Sequence, residues 1–389
     1  MRIGIIDADL LSNTNHRFPN LACMKISGFY KSARNTVDLL LSWEDIKLYD
    51  KVFVSKVFTA NVVPDEVLNN PLVEYGGTGF FFDEAPPLPP DIEHTMPDYH
   101  LYDEWVHQQI QKGIKGADLR YYTDYSIGFT TRGCFRKCSY CVNRNKEKVE
   151  LASPITEFFD PSRKAICLLD DQFFGYPKYE EILDELQSIG KPFQYKQGLD
   201  IRMMTSKLAK KLSGCKYDGD YIFAFDDIID SPLIEEKLSL WREHTSKKTK
   251  LYVLVGYNEV GVSSRSFWVN DLAHAFKRIF TLAEYDCYAY VVRHEDYLKS
   301  PFVQIYNLLA SWTNQPWALH TMSFRQFCIG KGMVNLYTRY KHDPDRYLKD
   351  GHSKKSPWLT MELFLEQYPK MSKWFDMKFG EKVIDSVPN

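Results

Sequence analysis

The chain has 389 residues, enough for about two to three domains. Hydrophobic residues make up 44% and charged residues 26%, which excludes a disordered tail, a collagen and a coiled-coil rod. Lys and Arg number 49 against 51 Asp and Glu, so the formal net charge is -2 and no global basic field marks a nucleic-acid binder. Arg2–Asp7 reads as a short buried strand. Its apolar run is too brief for a signal peptide, and Asp7 and Asp9 interrupt it. Over 19–41, Leu21, Met24, Phe29, Ala33 and Val37 recur at mostly helical spacing. Lys51–Ser55 reads as a second strand. Val73–Phe80 reads as a third, entering the turn Tyr75-Gly76-Gly77-Thr78-Gly79. Strands alternating with helices predict a Rossmann-like parallel sheet over residues 1–82.

Pro86, Pro87, Pro89, Pro90 and Pro97 break regular structure and predict a linker over 83–120. A second series follows. Its predicted strands are Ser126–Thr130, Ala165–Leu169, Phe193–Gln197, Tyr221–Phe225, Leu251–Val255 and Cys287–Val292. Helical patterns lie between them at Tyr179–Ile189, Ser206–Leu212, Pro232–His244 and Val269–Leu282. Six such units predict a partial (β/α)6 barrel of TIM type over 121–298, with active groups at the carboxyl ends of the strands. Residues 299–389 read as a mostly helical extension. No run of about 18 apolar residues occurs, so no membrane span is expected.

Eight cysteines are present, and Cys134, Cys138 and Cys141 crowd into eight positions while five are scattered. A disulfide framework would be spaced differently, so the expectation is a cytoplasmic protein with one thiolate site. The segment is Thr130-Thr131-Arg132-Gly133-Cys134-Phe135-Arg136-Lys137-Cys138-Ser139-Tyr140-Cys141, spaced CxxxCxxC directly after the first strand of the second series. Three thiolates on one loop suit three irons of a cubane cluster, leaving the fourth iron open. A structural zinc would want a fourth protein ligand. His100 and His107 lie upstream but not at finger spacing.

With Tyr140 at the aromatic position, this loop resembles the CxxxCxΦC signature of the radical S-adenosylmethionine (SAM) superfamily, and the resemblance extends over roughly residues 120–295. It implies a [4Fe–4S] cluster on Cys134, Cys138 and Cys141. It implies SAM on the open iron, cleaved by one electron to methionine and a 5′-deoxyadenosyl radical that takes hydrogen from a substrate. A low-potential donor of flavodoxin or ferredoxin type is implied as well. Tyr140, Asp170, Asp171, Gln197, Arg202, Asp226, Gly256 and Glu259 become candidates for the SAM shell. Asp170 and Asp171 end the second strand, where an acidic turn would meet the SAM ammonium or else cap a helix. Arg202 would hold the SAM carboxylate or else pair with Asp200. Asp226 would lie near SAM or form a turn. Val253-Leu254-Val255-Gly256-Tyr257-Asn258-Glu259 is similar to the family's GxIxGxxE motif, with Tyr252 in place of its first glycine. Arg293 and His294 end the sixth strand as substrate-facing candidates, with a solvated rim as the other reading.

A Rossmann-like layer ahead of such a barrel resembles the cobalamin-binding class of the superfamily, and Tyr75–Gly79 looks like its Gly-rich turn. The DxHxxG motif is absent, and no histidine lies between His16 and His94. A layer that shapes the substrate pocket is therefore expected over one that binds cobalamin. In the extension, Ser323–Trp358 holds eight basic residues (Arg325, Lys331, Arg339, Lys341, Arg346, Lys349, Lys354, Lys355) against three acidic ones, interleaved with Tyr337, Tyr340 and Tyr347. That pattern fits an amphipathic helix cluster with inward aromatics, or a surface that grips a nucleotide or nucleic acid. The rival from another class is a non-catalytic zinc or Fe–S nucleic-acid-binding protein.

Overall fold

The structure is a computed structural model that describes residues 1–12, 16–259, 261, 264–330, 334–352 and 356–381. Lys331, Lys354 and Lys355 lie outside the described residues. The chain packs as two compact units, residues 1–197 with 216–218, and residues 198–215 with 219 onward. The division falls inside the segment expected as one barrel.

The first unit opens with a four-stranded parallel sheet of β1 (Arg2–Asp7), β2 (Thr36–Leu39), β3 (Lys51–Ser55) and β4 (Val73–Gly76), in the order β2-β1-β3-β4. Central β1 is covered on both faces, so it reads as a continuous apolar run rather than an alternation. Ile3, Ile5 and Ile6 are fully buried, each contributing about 1.5–3 kcal/mol by transfer from water. Strand order reverses between β1 and β3, and a buried polar group fills their carboxyl ends. There the Asp7 carboxylate accepts from the Tyr102 hydroxyl at 2.9 Å, and the Asn20 amide donates to the Ser55 hydroxyl at 3.0 Å.

The helix expected over 19–41 stops early. It spans Leu21–Ser32, capped by Asn20, whose side chain accepts from the Cys23 N–H. Arg34 then takes a left-handed φ of 62°, and the chain turns into β2. Val37, counted on the helix by its spacing, is a strand residue paired with Ile3.

The segment expected as a linker is packed. Its prolines keep 85–89 irregular, but helix Asp103–Gln111 follows. Tyr99, Tyr102, Trp105 and Leu119 join Ile3, Ile5, Met24 and Phe53 in one core cluster. Buried Arg163 donates to the carbonyls of Tyr99 and Tyr122, both at 2.6 Å.

β5 (Tyr125–Gly128), β6 (Thr131–Arg132), β7 (Glu150–Leu151), β8 (Ala165–Leu168) and β9 (Phe193–Tyr195) complete the unit. β5, β8 and β9 form a buried three-stranded parallel sheet, and β6 and β7 a short antiparallel ladder. Gly128 has no room for a side chain, since a Cβ would lie 2.3 Å from the ring of Phe158.

The second unit holds β10 (Tyr221–Ala224), β11 (Thr249–Val255) and β12 (Tyr288–Arg293), also parallel. The six strands expected in one barrel thus appear as two three-stranded sheets. Helices Ser231–His244 and Arg265–Glu284 accompany the second sheet. The C-terminal helices bring Trp312, Phe324 and Phe375 around Phe276 of the longer one, with ring centroids 5.3 Å away for both Phe324 and Phe375. Tyr340, Tyr347 and Trp358 are buried in a small cluster of their own. These rings face inward, as the amphipathic-cluster reading expects, and are not presented for base stacking. No described helix is long and apolar enough to cross a membrane.

Candidate metal centre

The cysteine loop leaves the carboxyl end of β5. The β6–β7 ladder pairs Thr131 with Leu151 and Arg132 with Glu150, closing residues 133–149 into one excursion. The Ala152 N–H adds a bond to the Thr130 carbonyl at 2.8 Å. Gly133 starts the excursion with φ 95°, and a Cβ there would lie 2.3 Å from the Lys148 carbonyl oxygen. Only glycine meets both demands.

Cys134, Cys138 and Cys141 are half-buried and form no disulfide, whereas the other five cysteines are buried. The Cys141 N–H bonds the Cys138 carbonyl at 3.0 Å, which folds the last two into one turn. Backbone N–H groups also aim at sulfur, from Arg136 to Cys134 at 3.3 Å and from Asn143 to Cys141 at 3.4 Å. Burial holds the Cys134 thiol above its ordinary pKa. The Arg136 N–H opposes that rise, and the nearby Cys141 and Cys138 add to it. Yet among the described residues no three His, Cys, Asp or Glu side chains close on a point for a single ion. The donor set is soft thiol with amide hydrogen bonds to sulfur, which fits an iron–sulfur cluster.

Asp170 and Asp171 follow β8 directly. Asp170 is buried, and burial pushes its pKa up to about 6 against the pull of Thr130 and Thr131 donors. Asp171 is half-buried and accepts from the Gly133 N–H at 2.9 Å. Burial raises its pKa too, opposed first by that N–H. The far side of the loop is tethered by Arg144 and Asn145, which donate to Asp83 at 2.7 and 2.6 Å. Arg132 pairs with Glu93 at 3.5 Å. Tyr140 is half-buried on the loop. Sequence reasoning quoted Thr130 and Thr131 but gave them no role. The signal was available, because a buried aspartate at a strand end needs donors and two adjacent threonines offer four.

The remaining candidates fall at the end of the first unit or in the second. Gln197 is exposed at the end of the first unit. Arg202, Asp226, Gly256, Glu259, Arg293 and His294 belong to the second unit. Arg202 holds both oxygens of Asp200 at 2.7 and 3.1 Å and reaches Asp230 at 2.7 Å. The guanidinium offered to a SAM carboxylate is thus engaged by two protein carboxylates. Gly256 has φ 75°, and a Cβ would lie 2.5 Å from that of Tyr297, so its close approach is to protein. Asp226 is half-buried, and its carbonyl accepts from Arg278 at 2.6 Å. Glu259 is exposed. Arg293 is exposed and bonds Asn307, and His294 caps a short turn by accepting from the Asp296 N–H at 3.3 Å. In the front sheet, Gly77 and Gly79 close on Lys56, whose carbonyl oxygen would lie 2.3 Å from a Cβ at Gly77. That turn meets its neighbouring strand end.

No family model matches the chain, and no curated protein matches it. The fold is similar to solved structures at low identity. One is a radical SAM methyltransferase, TsrM, from Kitasatospora setae, with cobalamin and a [4Fe-4S] cluster bound; the match has 12% identity and a TM-score of 0.44, and covers 70% of this chain and 73% of that one. Another is the cobalamin-dependent SAM radical enzyme OxsB. Its apo form matches at 11% identity and TM-score 0.35, and its aqua-cobalamin form at 12% and 0.33. This chain spans 61% and 63% of the OxsB chains, which cover 95% and 98% of it. The expectation against cobalamin finds no support among these structures.

Proposed function

We propose that the chain is a radical SAM enzyme with a [4Fe–4S] cluster on Cys134, Cys138 and Cys141. One observation carries this reading. The CxxxCxΦC loop folds as a closed excursion from the carboxyl end of a parallel strand, and its three cysteines are half-buried while every other cysteine is buried. When bound, the cluster and SAM supply one-electron cleavage of the sulfonium, with 5′-deoxyadenosine as product once hydrogen has left a substrate. The chain's own work is to space three thiols, to direct amide N–H groups at sulfur, and to fix the loop root through Gly133. An external low-potential donor of flavodoxin or ferredoxin type supplies the electron. The six parallel strands after residue 120, in two three-stranded sheets, agree with the family's barrel in strand number.

The test is anaerobic. Protein reconstituted with iron and sulfide, then given SAM and dithionite, is expected to release 5′-deoxyadenosine. Cys138→Ala is expected to release about a hundredfold less, since a missing ligand unmakes the site rather than weakening it. One zinc per chain in anaerobically purified protein would sink the reading in favour of a structural site.

A second reading adds cobalamin in the front sheet and methyl transfer as the outcome. It is favoured by Val57, Phe58 and Val62, which stand exposed on the loop after β3, at the edge where open parallel sheets take ligands. Aquocobalamin that co-elutes with the protein after gel filtration supports it. Complete separation of the two decides against it.

A further inference from the structure

We propose that Asp170 and Asp171 are positioning residues that clamp the root of the cysteine loop and thereby set the spacing of its thiols. The proposal rests on the cluster reading for the nature of the bound group, and on geometry for the clamp itself.

β5 and β8 are hydrogen-bonded neighbours, with Gly128 opposite Leu168 and the Leu169 N–H on the Gly128 carbonyl at 2.9 Å. Two carboxylates just past the end of β8 therefore lie beside the first residues past the end of β5. One oxygen of Asp170 accepts from the Thr131 N–H and the Thr131 hydroxyl, both at 2.7 Å, and from the Thr130 hydroxyl. The other accepts from the Thr130 N–H at 3.1 Å. A carboxylate has about four lone-pair sites, and these contacts supply four donors. Both oxygens of the buried Asp170 are thus engaged by the loop root, where the family resemblance implied a contact to a ligand's ammonium. Asp171 extends the same clamp one step with its bond to Gly133, the residue before Cys134.

Five donors from Thr130, Thr131 and Gly133 thus end on two consecutive carboxylates. Thr130 and Thr131 are themselves buried, so water does not compete for these bonds. An acceptor-only group is required. An amide in place of the Asp170 carboxylate would turn an NH2 toward N–H and O–H groups and leave donors unmatched. The root would loosen on one side, while the β6–β7 ladder holds the other. Thiols that must meet three irons together would then spread over a wider range of positions.

The test uses the whole chain in two states. In the metal-free protein, Asp170→Asn is expected to speed hydrogen exchange at the Thr130, Thr131 and Gly133 amides by about tenfold, the loss of one charge-assisted bond. After reconstitution, the same variant is expected to release iron to a chelator about fivefold faster or more. Asp171→Asn, at a less buried site bonded to the Gly133 N–H and the Asn143 side chain, should show the same direction at Gly133 and keeps the proposal testable if Asp170→Asn does not fold. Asp218→Asn is the control. Its carboxylate bonds Tyr125 at the opposite end of β5, so it should change overall stability but neither readout. Unchanged exchange in both variants overturns the clamp. Faster exchange with wild-type iron release overturns its role in thiol spacing. An intact loop and cluster with weakened SAM binding in Asp170→Asn also overturns it, in favour of direct SAM contact. If the wild type takes up no cluster, the functional reading falls, and the clamp is decided by exchange alone.

Discussion

Replacing Arg278 with methionine is expected to destabilise the second compact unit by about 3–5 kcal/mol, because three carbonyls, one buried and two partly buried, lose a charged donor at once. Arg278 is 2% exposed on helix Arg265–Glu284. Its guanidinium donates to the carbonyls of Phe225 at 2.9 Å, Asp226 at 2.6 Å and Leu254 at 2.9 Å. One side chain thus ties the carboxyl ends of β10 and β11, which carry Asp226 and Gly256. Methionine fills similar volume, so a cavity adds little and the lost bonds dominate. Lysine keeps the charge but has one ammonium where a planar fork spans three acceptors, so it should rescue only part of the loss. The check is a urea midpoint followed by fluorescence of the buried Trp241, Trp268, Trp312 and Trp358. A loss below about 1 kcal/mol would mean that water satisfies the three carbonyls.

The second large effect is on pH dependence. Burial pushes the Asp7 carboxyl up to about 7 from an ordinary 3.8, against the pull of the Tyr102 hydroxyl and the Leu10 and Asp9 N–H groups. The nearby charge of Asp9 adds to the rise. The folded state therefore holds a proton between these two values where the unfolded state does not. Stability from this group is complete below about 4 and is lost as pH rises through 7, by about 4 kcal/mol in all. Asp7→Asn removes the titration while its carbonyl can still accept from the N–H groups. Wild type is therefore expected to gain on the variant as pH is lowered from 8 to 5, measured as paired unfolding midpoints. A difference that stays flat over that range would show that Asp7 remains charged in the fold.

Local signals carried most of the strands. Arg2–Asp7 and Lys51–Ser55 stand where their apolar runs place them, because buried parallel strands need nothing else to be recognised. β2 was hidden because four residues directly after a helix look like its last turn until Arg34 is seen to reverse the chain. The linker was misread for a different reason. Five prolines report on local backbone only, and Tyr99, Tyr102 and Trp105 are held by tertiary packing that no spacing reveals. At the site, CxxxCxxC was legible because its ligands are close in sequence. Asp170 and Asp171 were legible as an acidic pair at a strand end, but their partners lie about 40 residues upstream and only the pairing of β5 with β8 brings them together. By sequence Arg202 would hold the SAM carboxylate or pair with Asp200; the fold pairs it with Asp200 and also with Asp230, 28 residues on, which spacing does not reveal.

The placement of the cysteines also decides where oxidants can act. Burial pushes the Cys167 thiol up to about 12 and Cys287 to about 11, and raises Cys23 and Cys328 as well, so these thiols are shielded from water and slow to ionise. Cys215 is buried too. Molecular oxygen or an alkylating reagent therefore meets three accessible sulfurs, all on one loop. Damage to this protein would be local and silent to its fold, leaving a well-packed chain altered only at the three thiols of one loop.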